Sequence, residues 1–162
     1  MRIFVAGATG AIGRALVPMV VAEGSEVFGL TRTPAKADWL RAAGATPVIA
    51  DALDKQAIEC ALARARPEIV VHQLTALTSA GDVRRFDKTF EASNRLRTEG
   101  LDILIAAARS TGARKIIAQS YCGWPYAREG GAVKTEEDPL DSRPARQQTR
   151  TLAAIKQLSR SS

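Results

Sequence analysis

The sequence predicts an α/β fold, a mostly parallel sheet with helices wound over both faces. Three observations predict it. Short apolar runs rich in β-branched residues alternate with longer segments of helical periodicity, the sequence mark of a parallel sheet. Ala, Leu, Ile and Val dominate the 46% hydrophobic content while aromatics reach only 5%, which favours thin helix-on-sheet layers over a sandwich built around bulky rings. The first apolar run also leads straight into the glycine-spaced loop Gly7-Ala8-Thr9-Gly10-Ala11-Ile12-Gly13. At 162 residues the chain suits one domain, 1–162, large enough to bury a core.

The strand candidates, in order, are Arg2 to Ala6, Glu26 to Leu30, Thr46 to Ala50, Glu68 to Gln73 and Lys115 to Gln119. Each is short and apolar enough for burial on both faces. Between the first two, Ile12, Leu16, Met19 and Val20 share a helical face, as do Ile58 and Leu62 later. Pro18 falls inside the first helix, where it costs about 3 kcal/mol unless a kink or local packing absorbs it, and a bend is expected there. The longest helical segment runs roughly from Val83 to Arg109 with Leu96, Leu101, Leu104 and Ile105 on it, and Gly112 suits its exit. Right-handed crossovers then give the strand order 3-2-1-4-5 of the doubly wound Rossmann fold.

After Ser120 the character changes. Residues 121–143 carry three glycines, Pro125 and Pro139, and the acids Glu136, Glu137 and Asp138, which reads as a long loop of the kind that is functional or disordered. A terminal helix is expected over 145–158, with Leu152, Ile155 and Leu158 on one side.

Gly7, Gly10 and Gly13 follow a strand and open a helix, the context that distinguishes a dinucleotide-binding loop from a chance triplet. Side chains at Gly7 or Gly10 would obstruct the tight turn or the approach of pyrophosphate oxygens to backbone N–H groups, and Gly13 lets helix and sheet pack closely. The helix N-terminus adds partial positive charge. The expected contacts to the phosphates are therefore Gly7, Thr9, Gly10, Ala11, Ile12 and Gly13. The spacing, G-x-x-G-x-x-G, departs from the commoner G-x-G-x-x-G.

The second strand ends in Leu30-Thr31-Arg32-Thr33, where an NAD site usually carries an acid for the adenosine ribose hydroxyls. Arg32 instead offers a guanidinium for a 2′-phosphate, so NADP(H) is favoured, with NAD(H) possible. The competing reading is a solvated surface arginine.

With these residues in place, the sequence resembles the extended or atypical branch of the short-chain dehydrogenase/reductase superfamily, the NAD-dependent epimerase/dehydratase type, over nearly its whole length. The resemblance implies that Asp51 and Ala52, in Ala50-Asp51-Ala52-Leu53, approach the adenine, that Leu74 and Thr75 line the cofactor after the fourth strand, and that Ser120 stands where such enzymes keep a catalytic serine or threonine. It also implies acid–base duty for a tyrosine, for which Tyr121 is the first candidate and Tyr126 the second. The usual partner, a lysine four residues after the tyrosine, is missing: Pro125 follows Tyr121 at that spacing and Gly130 follows Tyr126, while 147–158 holds no tyrosine. That lysine lowers the phenol pKa from about 10, and here Lys134 or Lys156 could serve only if the fold brings one close. Relatives also continue into a substrate-binding part after this point, so a truncated chain is expected.

The formal charge is +6 and the pI about 9.8, but basic residues are mostly dispersed. The exception is Arg143, Arg146, Arg150, Lys156 and Arg160 in the acid-free tail, which reads as a solvated helix face. With no aromatic platform beside it, nucleic acid is disfavoured as a partner. Cys60 and Cys122 have no metal-ligand spacing and read as reduced thiols, so no metal is expected. No apolar run approaches membrane-spanning length and no leader precedes the first strand, so no membrane partner and a cytoplasmic location are expected. His72, Trp124 and Asn94 read as structural residues first. The partners expected are a dinucleotide, a small carbonyl or hydroxyl substrate, and a second copy through the helical faces. Two functions stay open: an oxidoreductase or epimerase/dehydratase, or an NADP(H)-binding regulatory module without turnover.

Overall fold

In a computed structural model, which describes residues 1–77, 85–120, 126–135 and 137–161, five strands form one parallel sheet in the order β3-β2-β1-β4-β5. The strands are β1 (Arg2–Ala6), β2 (Glu26–Thr31), β3 (Thr46–Ile49), β4 (Ile69–His72) and β5 (Lys115–Ala118). The expected order and all five strands hold, with ends shifted by no more than a residue. β1 sits between β2 and β4, in the registers Phe4↔Phe28 and Phe4↔Val70, and Ile3 to Ala6 are all buried. The expectation of burial on both faces fails for β3 and β5. They are the edges of the sheet, and Ile49 and Ile117 stay about half exposed.

The helices α1 (Ala11–Ala22) and α2 (Ala37–Ala42) cover one face, and α3 (Lys55–Ala65) and the later α6 (Leu101–Ser110) cover the other. α1 continues through Pro18 to Ala22. Its buried face is Gly13 and Val17, with Leu16 and Val20 half-buried, whereas Ile12 and Met19 are exposed. The expected stripe is thus rotated, with Gly13 and Val17 facing inward in place of Ile12 and Met19. α3 begins where Asp54 Oδ1 accepts the Ala57 N–H at 3.0 Å, and it buries Ile58 and Leu62 as expected.

The long helix expected after β4 is not uniform. Within the described residues it divides into α4 (Phe86–Thr89), a break at Phe90, α5 (Glu91–Arg95), a π-helical turn over Leu96–Gly100, and α6. Periodicity alone does not register such a turn, since the apolar positions on either side of it still fall on one buried face. α6 ends at Ser110 and the chain leaves it, as expected, through Gly112, which has φ of +75°, with the Ala113 N–H returning to Ala108 O at 3.0 Å.

From Tyr126 to Ala145 the described chain has no helix or strand beyond a single bridge, Tyr126 to Leu140. A 3-10 turn (Arg146–Gln148) then leads into α7 (Thr149–Ser161), which buries Leu152, Ile155 and Leu158. Asp87 of α4 caps α7 from across the interface. Its carboxylate accepts the N–H groups of Arg150 (3.0 Å) and Thr151 (2.8 Å) and the Thr151 hydroxyl (2.8 Å).

Candidate dinucleotide site

At the carboxyl end of the sheet, the turn from β1 to α1 meets the chain leaving β4. Gly7 has φ of +90°, and a Cβ added there would lie 2.5 Å from the Gln73 carbonyl oxygen. A Cβ on Gly13 would run into the carbonyl oxygens of Gly7 and Ala8, so its close packing is against its own loop and not directly on the sheet. Gly10 differs: its φ of −77° suits any residue, and an added Cβ would meet Gly7 O at 3.2 Å. Gly10 caps α1 with no side-chain hydrogen bond. The first helical bond is from Arg14 N–H to Gly10 O at 2.9 Å, so the amides of Ala11, Ile12 and Gly13 lie ahead of the intrahelical ladder and face the turn, the usual condition for holding an anion.

A groove of about 160 Å3 runs across this end. Gly7, Thr9, Gly10, Arg32, Ala52, Leu74 and Thr75 line it together, whereas Ala11, Ile12 and Gly13 form the adjoining first turn of α1. Asp51 stands at its rim, one carboxylate oxygen 4.0 Å from the Arg32 guanidinium, with both side chains about half exposed or more. Such a pair is weak and leaves Arg32 available to a stronger anion. Asp51 also accepts the Leu53 N–H at 2.9 Å, closing the turn before α3. Lys36, from the 3-10 turn Pro34–Lys36, lines the same groove. Sequence reasoning passed it over, although a second cation four residues after Arg32 was there to be counted. Thr31 and Gln73 also line the groove unanticipated. The Thr31 hydroxyl accepts the Thr33 N–H at 3.2 Å and lies 3.4 Å from the Thr9 hydroxyl, joining the two loops. Gln73 Oε1 is buried with no hydrogen-bond partner among the described residues.

Beyond Gln73 the groove gives way to a second, smaller cavity of about 80 Å3, lined among others by His72, Arg97, Gln119 and Ser120. Ser120 thus sits past the end of β5, beside the chain leaving β4. The His72 ring is buried and its Nε2 is 3.0 Å from Leu96 O, the first carbonyl of the π turn. Burial holds this imidazole below its usual range, opposed by the Leu96 carbonyl and reinforced by the charge of Arg97. Tyr121, Trp124 and Cys122 lie outside the described residues. Tyr126 pairs with Leu140. Lys156 of α7 donates to Asp141 O at 2.7 Å, and Lys134 is tied to the Glu129 carbonyl and lies 3.6 Å from Asp138, so both lysines are engaged by acceptors of the 126–145 segment. Among the described residues no three His, Cys, Asp or Glu side chains gather as a metal site, and no helix is long and apolar enough to cross a membrane.

This fold, with a glycine turn at the mouth of α1 and a groove across the sheet's carboxyl end, defines an NAD(P)-binding protein of the short-chain dehydrogenase/reductase type. The chain belongs to the NAD(P)H-binding family, whose model matches residues 7–156. It is similar to a 3-diazoavenalumate denitrifying reductase of a Streptomyces species, at 44% identity over 140 residues, which covers 86% of this chain and 44% of that protein. It is also similar to a 4-hydroxy-2-methyl-3-oxo-4-farnesyl-3,4-dihydroquinoline-1-oxide ketoreductase of Stigmatella aurantiaca, at 32% identity over 117 residues, covering 72% of this chain and 32% of that one. Among solved structures, the UDP-glucose 4-epimerase of Thermus thermophilus in complex with NAD superposes with a TM-score of 0.76 and 25% identity, over 99% of this chain and 49% of the epimerase. The likeness to the epimerase/dehydratase type read from the sequence is therefore shown. The chain spans less than half the length of these relatives.

Proposed function

We propose that the chain binds NADP(H), with the pyrophosphate over Gly7 to Gly13 and the 2′-phosphate between Arg32 and Lys36, and that it serves a reductase acting on a small carbonyl or related acceptor beside Ser120. The observation that carries the cofactor preference is the pair of cations on the groove wall after β2, at the place where a carboxylate would select the ribose hydroxyls of NAD(H). The shape fits as well. The absence of a Cβ at Gly7 lets the β1 turn close against Gln73, and the buried Gln73 Oε1 offers an acceptor at the passage between groove and second cavity.

A bound NADP(H) supplies or accepts a hydride. The protein's part is positioning: Leu74 and Thr75 line one side of the groove, and the Ser120 hydroxyl offers a hydrogen bond to the substrate oxygen. The names of the two curated relatives, a reductase and a ketoreductase, support reduction as the direction. Asp51 and Ala52 would flank the adenine end, and Tyr121 is the candidate proton donor.

Calorimetric titration with NADPH and NADH, followed by NADPH oxidation at 340 nm with a panel of aldehydes and ketones, tests this reading. Tighter binding of NADPH and measurable turnover are expected, and failure to bind either dinucleotide would refute it. A second reading is favoured by one observation, that α7 contains no tyrosine: a sensor that binds the cofactor without turnover. It requires different affinities for NADPH and NADP+, because a ligand shifts states only through differential affinity.

A further inference from the structure

We infer that Thr31 positions both recognition elements of the dinucleotide groove: its one hydroxyl aims the Thr9 hydroxyl at the diphosphate and sets the turn that presents Arg32 to the 2′-phosphate. This deepens the proposal above and rests on its placing of NADP(H) in the groove.

Thr31 ends β2 as a buried residue, yet it lines the groove. Three contacts hold it there. Its carbonyl accepts the Ala50 N–H at 3.1 Å, its hydroxyl oxygen accepts the Thr33 N–H at 3.2 Å, and that hydroxyl lies 3.4 Å from the Thr9 hydroxyl of the β1 turn. The glycine turn, the exit of β2 and the exit of β3 thus meet at one residue.

The direction of these bonds follows from what each group can do. A backbone N–H only donates, so the Thr33 amide takes a lone pair of the Thr31 oxygen. The Thr31 hydrogen then needs an acceptor, because a buried hydroxyl left unpaired forfeits its solvation. Among the described residues the Thr9 oxygen is the acceptor within reach. Thr9 is half-buried and lines the groove, so its own hydrogen is turned to the groove. Every link, from Thr33 N–H through Thr31 to Thr9, donates towards the groove, and each bond polarises the next. A chain of donors that ends on a hydroxyl suits a phosphate oxygen.

The same hydroxyl shapes the next loop. Its bond to Thr33 spans two residues and encloses Arg32, the local turn that threonine hydroxyls make with the backbone two positions on. From there the chain enters the 3-10 turn, where the Lys36 N–H returns to Thr33 O at 3.0 Å. Arg32 and Lys36 are therefore presented from one braced segment, and less freedom is lost when a 2′-phosphate arrives.

Calorimetric titration of NADPH and NADH against the parent protein and its variants tests this. Thr9→Val removes the last donor alone, so both affinities should fall together by about tenfold, the scale of one hydrogen bond to a charged group, with their ratio unchanged. Thr31→Val removes the joint. NADH affinity should fall by about threefold or more, and the NADPH:NADH ratio should also fall by about threefold or more as the Arg32 turn loosens. In a Thr9→Val background, Thr31→Val should add nothing to the loss for NADH, since it reaches the diphosphate only through Thr9. Thr31→Ser, which keeps the hydroxyl, should retain the parent ratio. Parent affinities or an unmoved ratio in Thr31→Val, additive losses for NADH, or a Thr31→Ser protein as impaired as Thr31→Val overturns the inference. Should Thr31→Val fail to fold, Thr31→Ala is read in its place. A parent protein that binds neither dinucleotide refutes the cofactor reading, and this inference with it.

Discussion

Gly7 and Gln73 approach so closely that a methyl group on Gly7 would stand 2.5 Å from the Gln73 carbonyl oxygen. This contact closes the β1 turn against the end of β4 and brings the two loops that line the groove to one place. Gly7→Ala faces both that collision and a φ of +90°. It should destabilise the fold by about 2 kcal/mol or more, seen as a lower urea midpoint at unchanged slope.

Gly10 offers the contrast. With φ of −77° and 3.2 Å to Gly7 O, Gly10→Ala needs only a small local shift, so its thermal midpoint should stay within a few degrees of the parent. Its methyl group would still occupy the space in which the proposed function puts a diphosphate against the α1 amides. NADPH affinity should therefore fall about tenfold or more, the scale of one or two lost hydrogen bonds to a charged group. Unchanged affinity in a folded Gly10→Ala or Gly10→Val protein would remove the pyrophosphate site from this loop.

Arg32 and Lys36 should set the choice between dinucleotides. Replacing both with Ser removes two charges from the groove wall, and the NADPH:NADH affinity ratio should drop by about a hundredfold, each charge-assisted contact contributing about 1.5 kcal/mol. NADH binding should change little. A ratio that does not move would place the 2′-phosphate elsewhere.

His72 is the chain's one histidine, so its linkage to stability can be isolated. Its pKa is lowered in the folded protein, mainly by burial. The unfolded chain, with an ordinary value of about 6.5, therefore binds the proton more readily. The stability from keeping the ring neutral is present above the unfolded value and is lost as pH falls below it. Denaturation midpoints should decline from pH 7.5 to 5.5, and His72→Gln should flatten that decline. An equal slope in the variant would show that other groups carry it.

Asp87 caps α7 through three hydrogen bonds from another helix. Asp87→Ala should cost about 1 kcal/mol, the usual scale of a lost cap, with faster amide exchange at Arg150 and Thr151. Slow exchange at both amides in the variant would show that the cap does not hold this end.

Much of this was legible in the sequence because it is local. Strand length, β-branched runs and helical spacing specify short segments, and right-handed crossovers leave few ways to order them, hence 3-2-1-4-5. The glycine loop was equally legible, since a positive φ and close backbone approach each demand the residue without a side chain. What depended on distant partners was not. Ile12 and Met19 fit the helical pattern but face outward, because Gly13 sets how α1 lies on its loop. The π turn at Leu96–Gly100, the meeting of Arg97 with His72 and Ser120 across one cavity, and the capping of α7 by Asp87 join residues up to 64 positions apart. Periodicity reports only what repeats along a segment, and contacts such as these are settled when helices and loops pack, which is where the tertiary structure alone decides.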